Sequence, residues 1–250
     1  MQRFKNKYAF ITGGTSGMGF ATAKFFIEEG GIAIITGQNQ IKIDEAVQKL
    51  GDNAIGILSD AGNIDDLMNL KNHIAKFTDK IDVLYANAGF GKFAPIEYAD
   101  ENHFDQLFNV LVKGTFFTVQ QVLPLMQIGG AIILNTSVVT EMGSANFSVY
   151  SAAKSAVKSF VKTFAAELAS KGIRVNGISP GYINTNIFNN TGLTAEQIEG
   201  TVQSIIPTIP FKRFGEAEEV AKTVLFLASE DASYVHGSIV TVDAGYSVIR

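Results

Sequence analysis

Thr12-Gly13-Gly14-Thr15-Ser16-Gly17-Met18-Gly19 joins a short β-branched run, Tyr8–Thr12, to a helix-period segment, Met18–Glu29, and its reading decides the fold. Glycines between a strand and a helix allow positive φ and close backbone approach to a ligand, and the helix amino terminus adds unpaired N–H groups with a partial positive charge. Such a turn is an anion site made from backbone. Its spacing is neither G-x-G-x-x-G nor G-x-x-x-x-G-K-[ST], so the phosphate-binding Lys and the Mg²⁺-binding hydroxyl of a nucleoside triphosphatase are both missing.

Outward from this turn the strand-then-helix rhythm repeats: Ile32–Thr36 then Ile41–Leu50, Ala54–Leu58 then Ile64–Phe77, Ile81–Ala86 then 102–126, Ala131–Asn135 then Tyr150–Ser170, and Arg174–Ile178. This alternation predicts right-handed βαβ units: an α/β chain forming a single doubly wound Rossmann-type domain of about seven parallel strands with helices on both faces. After Pro180 the rhythm breaks over about 181–215, with one helix expected at Ala195–Ile206, and resumes at Glu216–Ala228 and Ser238–Asp243. An insertion beyond a strand's carboxyl end is where an open sheet places its ligand and lid. No repeat or low-complexity linker divides the chain, so 1–250 reads as one domain.

Composition narrows the function. Hydrophobic residues make up 46% of the 250 and charged residues 18%, below a usual charged fraction of about 25%, which excludes intrinsic disorder and favours subunit contacts. Twenty Lys+Arg against 24 Asp+Glu leave a net charge of -4 with no basic block, so no nucleic-acid footprint is expected. There is no Cys, and His73, His103 and His236 are scattered, so neither disulfides nor a metal site is expected. The start Met1–Lys7 leads into a strand without a signal-type apolar core, and no run reaches a membrane span, so the expectation is a soluble, cytoplasmic protein with no membrane partner. In the 102–126 segment, Phe104, Leu107, Phe108 and Leu111 form one stripe, while Val110, Val112, Phe116 and Phe117 spread apolar surface around the helix. Either a central helix within a monomer or a subunit interface satisfies that pattern.

The reactive residues come later in the chain. Tyr150 and Lys154 are four apart on a predicted helix, so their side chains share a face with Cβ atoms about 5–6 Å apart. Ser137 ends the fifth strand thirteen residues before Tyr150. Two hydroxyls on one carbonyl oxygen polarise that carbonyl for nucleophilic attack, and a neighbouring ammonium moves a phenol toward useful acid strength.

The spacing Thr-Gly-x-x-x-Gly-x-Gly, Asn87-Ala88-Gly89 after the fourth strand, Asp60 after the third, Ser179-Pro180-Gly181 with Thr185, and Asp243-Ala244-Gly245 together resemble the short-chain dehydrogenase/reductase family over the whole chain. The resemblance implies a catalytic set of Ser137, Tyr150 and Lys154. It implies a dinucleotide held by Gly13, Thr15, Ser16, Gly17, Met18, Gly19, Gln38, Asp60, Ala61, Asn87, Ala88, Gly89, Tyr150, Lys154, Pro180, Gly181, Ile183 and Thr185. It further implies interconversion of a ketone and a secondary alcohol: Tyr150 donates the proton, Ser137 orients the carbonyl, and Lys154 holds the nicotinamide ribose and lowers the phenol pKa. A homotetramer built partly through the fourth and fifth helices is implied as well.

Gly37-Gln38-Asn39 after the second strand, with Ser16 in the turn, offers no cation for a 2′-phosphate, which favours NAD(H); Lys42 keeps NADP(H) open. Met142, Phe147, Tyr182, Ile187 and Phe188 are large side chains flanking the reactive set and point to a small hydrophobic carbonyl or alcohol as substrate. One departure is Leu111, three residues before Gly114, where the family usually carries an Asn that anchors a proton-path water. Asn109 is rotated from it by about 200° on a regular helix, so a rerouted proton path or slower turnover is expected. Two other readings stay open: a dinucleotide-fold binding or regulatory protein with little turnover, and a 3-oxoacyl-carrier reductase, for which Lys212 and Arg213 are the adjacent cations.

Overall fold

A computed structural model describes residues 2–185 and 194–249. Seven strands form one parallel sheet: β1 (Tyr8–Ile11), β2 (Ile32–Gly37), β3 (Ala54–Leu58), β4 (Ile81–Ala86), β5 (Met126–Asn135), β6 (Arg174–Pro180) and, last in the chain, β9 (Ile239–Val242). Their spatial order is β3-β2-β1-β4-β5-β6-β9. Two short strands, β7 (Ile183–Asn184) and β8 (Gly215–Glu216), pair separately. The doubly wound expectation holds, with the strand order reversing between β1 and β4.

The helices are α1 (Gly17–Glu28), α2 (Gln40–Leu50), α3 (Ile64–Met68), α4 (Leu70–Ile74), α5 (Glu101–Leu107), α6 (Gly114–Val122), α7 (Ser148–Leu168), α8 (Ala195–Ile205) and α9 (Ala217–Ala228). Successive strand residues point to opposite faces, and both faces are apolar because both are covered. Phe10, Ile34, Leu84 and Ile132 pack with Val119 and Val122 of α6 and Val157 and Val161 of α7. Their chain neighbours Ile11, Ile35, Tyr85 and Ile133 pack on the other face with Phe26 of α1 and Val220 and Val224 of α9. No described helix is long and apolar enough to cross a membrane.

Three elements differ from the sequence expectation. The helix expected over 64–77 is two short helices broken at Asn69, whose side chain donates to the Asp65 carbonyl at 2.9 Å and competes with the backbone ladder. The long helix expected over 102–126 ends early, and its middle, Phe108–Lys113, is a π-helical turn in which Gly114 N bonds Asn109 O. β5 begins at Met126 rather than Ala131, because a register irregularity between Ile81 and Val83 and the positive φ of Gly129 let an extra, exposed stretch join the strand.

The last strand is held by polar contacts as well as by its ladder. Asn176 of β6 is 1% exposed; its Nδ2 donates to Val235 O at 2.8 Å and its Oδ1 accepts from Ser238 N at 3.1 Å. His236 lies between them, taking Val175 N on Nδ1 at 3.1 Å and meeting Ala165 O through Nε2 at 2.9 Å. Asn176→Leu removes both bonds and leaves the partly buried Val235 carbonyl and the Ser238 N–H to find water, and should lower the free energy of unfolding by about 1–3 kcal/mol in a denaturant titration, a net hydrogen bond being worth about 0.5–1.5 kcal/mol; a loss below about 0.5 kcal/mol would show that the ladder alone docks β9.

Candidate active site

All strand carboxyl ends of a parallel sheet lie on one edge, and the strand reversal between β1 and β4 opens a crevice there. Thr12 leaves β1 and Asn87 leaves β4 on the two sides of it. Asn87 Nδ2 donates to the carbonyls of Thr12 (3.0 Å) and Gly13 (3.2 Å), while Thr12 Oγ1 accepts from the N–H groups of Asn87 (3.0 Å) and Ala88 (2.9 Å). The glycine turn is thus fixed to the Asn-Ala-Gly segment before α1 begins.

Gly19 and Gly17 show why the turn is built of glycine. A Cβ at Gly19 would stand 2.4 Å from the Gly13 carbonyl oxygen. Gly17 has φ +55, and a Cβ there would meet the Thr185 methyl at 3.2 Å, so the turn and the segment after β6 are brought face to face. Ser16, exposed, occupies the N-cap position of α1 with no side-chain cap bond, and Thr15 packs on Gly37 at the end of β2. A backbone cradle at a helix amino terminus is the shape that a dinucleotide pyrophosphate fits. Asp60 Oδ1 accepts from Gly62 N at 2.8 Å, and Ala61 lies against Gly114, whose Cβ would come within 2.4 Å of the Ala61 carbonyl oxygen. Gln38 and Asn39 follow β2 into solvent, and Asn39 caps α2 by accepting from Lys42 N at 3.0 Å. Gly181 packs on Asp243, where a Cβ would come within 2.7 Å of the Asp243 Cβ.

Ser137, Tyr150 and Lys154 come together at the carboxyl end of β5. Thr136 N and Oγ1 both bond Ile178 O at 2.8 Å, which holds the strand end, and Ser151 Oγ donates to Val139 O at 2.9 Å, tying the following turn to α7. The Ser137 hydroxyl, which accepts from Val139 N at 3.4 Å, lies close enough to the Tyr150 phenol to favour its ionised form. Lys154 Nζ donates to the Asn135 carbonyl at 2.7 Å. Asn135 Nδ2 in turn meets Asn87 Oδ1 at 3.3 Å, which links the reactive set to the glycine turn, while Asn135 Oδ1 and Ser179 Oγ are buried without a partner among the described residues.

Burial pushes the Tyr150 phenol up to about 12, against a smaller pull downward from the Ser137 hydroxyl, and burial pulls the Lys154 ammonium down to about 8. The lowered phenol pKa read from the sequence is therefore not what the protein alone produces. Desolvation outweighs the proximity of the ammonium, which is engaged by Asn135 O.

The expected substrate-facing residues divide. Phe147 stacks on Phe93 with centroids 4.1 Å apart, and both meet Tyr150 edge to face at 6.3 and 5.5 Å. Met142 is partly buried at the end of the turn after Ser137. Tyr182 instead stacks on Phe214 at 5.6 Å, meets Tyr246 edge to face at 5.1 Å and lines a cavity of about 300 Å³ with Ile209, Phe211 and Val242, a cavity that none of Ser137, Tyr150 and Lys154 lines. Ile187 and Phe188 lie outside the described residues. Phe93 was not among the residues read from the sequence; the only signal was an aromatic-rich stretch, Phe90–Tyr98, after β4. Leu111 is 1% exposed and packs with Leu107 and Ala153, whereas Asn109 turns outward to accept from Lys113 Nζ at 2.7 Å.

Known proteins share this architecture. A family model described as "Enoyl-(Acyl carrier protein) reductase" matches residues 13–247. The chain is 38% identical to "Oxidoreductase asL5" of Sarocladium schorii over 100% of this chain and 99% of that one. It is 35% identical to the "3-oxoacyl-[acyl-carrier-protein] reductase FabG" of Thermotoga maritima over 97% of this chain and 98% of that one. The crystal structure of the short-chain dehydrogenase/reductase "SDR:Glucose/ribitol dehydrogenase" from Brucella melitensis superposes with a TM-score of 0.90 at 27% identity, covering 98% of each chain.

The Lys154 shift makes a stability prediction. Between about pH 8 and 10.5 the unfolded chain holds a proton at this position that the folded chain has lost, so stability rises with pH across that window. Below pH 8 the folded protein carries the full cost of the buried charge, about 3 kcal/mol at about 1.4 kcal/mol per pKa unit, offset in part by the bond to Asn135 O. Lys154→Met is expected to unfold about 1–2 kcal/mol later than the parent at pH 7 and to lose that advantage by about pH 10.5, in parallel denaturant titrations. A variant less stable than the parent at pH 7 would mean that the ammonium is well solvated.

Proposed function

The chain belongs to the short-chain dehydrogenase/reductase family of oxidoreductases, and from that premise we propose that it interconverts a ketone and a secondary alcohol by hydride transfer with a nicotinamide dinucleotide, Tyr150 serving as general acid and base. The observation that carries this reading is the meeting of Ser137 and Tyr150 at the end of β5, with Lys154 one helical turn on, its Nζ on the Asn135 carbonyl, at the same sheet edge as the glycine cradle.

A nicotinamide dinucleotide would supply or accept the hydride when bound. The glycine turn, Asn87 to Gly89 and Gly181 to Thr185 would hold it, with Asp60 and Ala61 toward the adenine. Ser137 and Tyr150 present two hydroxyls to one carbonyl oxygen. With its pKa near 12 the phenol keeps its proton at neutral pH, the form ketone reduction needs, and releases it only to an oxygen that has become strongly basic. Lys154 places a cation beside the ribose and the phenol, and the alcohol-to-ketone direction, which needs phenolate, should be favoured by raised pH.

We favour NADH over NADPH because Gln38 and Asn39 bring no positive charge to the end of β2, and Lys42 is the cation a 2′-phosphate would recruit. A small hydrophobic carbonyl is favoured over an acyl-carrier thioester, since Arg213, one of the two cations a docking patch would use, is paired with Glu219 at 2.7 and 2.8 Å. The oligomeric reading gains support from Phe116, 37% exposed beside the stacked Phe160 and Phe164 on α6 and α7.

Tyr150→Phe should lower ketone-dependent oxidation of NADH by about 10²–10⁴-fold while leaving dinucleotide affinity, read by fluorescence titration, within about threefold. NADH should exceed NADPH in kcat/KM, and an acyl-carrier thioester should be reduced more slowly than a simple ketone. Undiminished turnover by the Phe variant would end the reading, and cofactor binding without oxidation of any ketone would leave a binding protein. For assembly, Phe116→Glu is expected to shift the mass seen by light scattering from a multiple of the chain to a smaller species; an unchanged mass would place the contacts elsewhere.

A further inference from the structure

The segment after β4 and the turn after β5 meet over the reactive phenol. Ala94 N donates to Asn146 O at 3.0 Å, which fastens the two loops together. Asn146 holds φ +71, a left-handed conformation that Asn tolerates better than most residues and that the surrounding contacts must maintain. Lys92 Nζ bonds Gln106 Oε1 at 2.8 Å and anchors the first loop to α5. Between these ties Phe93 lies flat on Phe147 at an interplanar angle of 26°, and its edge faces the Tyr150 ring at 82°. All three rings are partly exposed.

We propose that Phe93 is a specificity-determining residue: with Phe147 it forms a flat aromatic wall beside Tyr150 that selects an uncharged substrate whose carbonyl is carried on or next to a ring, and discriminates against linear acyl chains. The proposal rests on the oxidoreductase reading and names its substrate class. A rigid stacked pair offers a flat face to a flat ligand, and aromatic pairs gain beyond the area they bury, whereas a flexible chain must be ordered to lie on the same surface. The wall is hydrocarbon, Phe93 lying on Phe147, and offers a charged substrate group nothing to replace its water, so it suits a neutral one.

The experiment compares the parent, Phe93→Ala, Phe93→Leu and Phe93→Tyr with two probes, the bicyclic aryl ketone 2-tetralone and the linear ester ethyl acetoacetate. It reads kcat and KM with NADH and the Kd of 2-tetralone by calorimetry, the latter also on Tyr150→Phe. The ratio of kcat/KM for tetralone to that for the ester should fall about 10- to 100-fold in Phe93→Ala, mainly through KM. Phe93→Leu should lose nearly as much, Phe93→Tyr should restore the parent ratio, and the limbs of the pH–rate profile should stay in place. If both probes decline together and the pH profile moves, Phe93 only props Tyr150 and the proposal is overturned; an unchanged ratio overturns it equally. Should the parent reduce neither probe yet bind tetralone at least tenfold more tightly than Phe93→Ala does, the wall stands and the oxidoreductase reading falls. Turnover with an unaltered ratio separates the two the other way, and neither binding nor turnover sinks both.

Discussion

One side-chain amide sets the geometry of the site. Asn87 reaches across the crevice between β1 and β4 and donates to the carbonyls of Thr12 and Gly13. Carbonyls only accept, so the Nδ2 end must face them and Oδ1 must face the other way, toward Asn135, which is obliged to present its own Nδ2. This ordering leaves Asn135 Oδ1 as a buried acceptor without a donor among the described residues and leaves the Asn135 backbone carbonyl free to take Lys154. A directional chain of hydrogen bonds therefore runs from the glycine turn to the lysine of α7 over residues far apart in sequence. Loss of the Asn87 amide would free two strand-end carbonyls in a partly buried crevice and detach the turn from the rest of the site.

The same crevice sets two titrations against each other. Desolvation disfavours whichever form is charged, so it raises the phenol and lowers the ammonium, and the two groups end nearer to neutrality than either would in water. A fold optimised for stability would not bury a lysine behind one backbone carbonyl. The cost is tolerated where a positive charge is useful, and sites of that kind commonly trade stability for activity.

Much of this was legible in the sequence because its causes are local. The β-branched runs, the glycine spacing and the Tyr-x-x-x-Lys interval each depend on a few neighbouring residues, and the structure brings Ser137, Tyr150 and Lys154 together where the strand-end and helix-face arguments put them. What could not be read depends on distant partners. At Asn69 the backbone N–H is shared between the Asp65 and Asp66 carbonyls and the side chain adds a bond to Asp65 O, local detail that apolar periodicity does not encode. The extension of β5 back to Met126 needs the irregular pairing with Ile81. Phe93 belongs to no periodic element, and only the stacking partner supplied by Phe147 gives it a position. Tyr182 looked equivalent to Phe147 as a large side chain near the reactive set, but Phe214 and Tyr246 from later segments draw it into a different cluster.

The π-helical turn and the residue at its centre belong to the same account. A turn that bonds Gly114 N to Asn109 O, five residues back, inserts one residue more than a regular helix would and changes which side chains face inward. Leu107 and Leu111 both reach Ala153 of α7, and the Leu111 carbonyl is taken by the Thr115 hydroxyl at 2.7 Å. Leu111 thereby fills the space beside Gly89: a Cβ on that glycine would stand 2.7 Å from Leu111 Cδ2 and 3.9 Å from Lys154 Nζ. Leucine brings no polar group to this side of Gly89, and burial lowers the Lys154 ammonium. Where an amide would offer a hydrogen-bonding station, Leu111 presents hydrocarbon packed on Ala153, so a proton path past this position finds no side-chain partner there, whereas Tyr150 itself remains partly exposed.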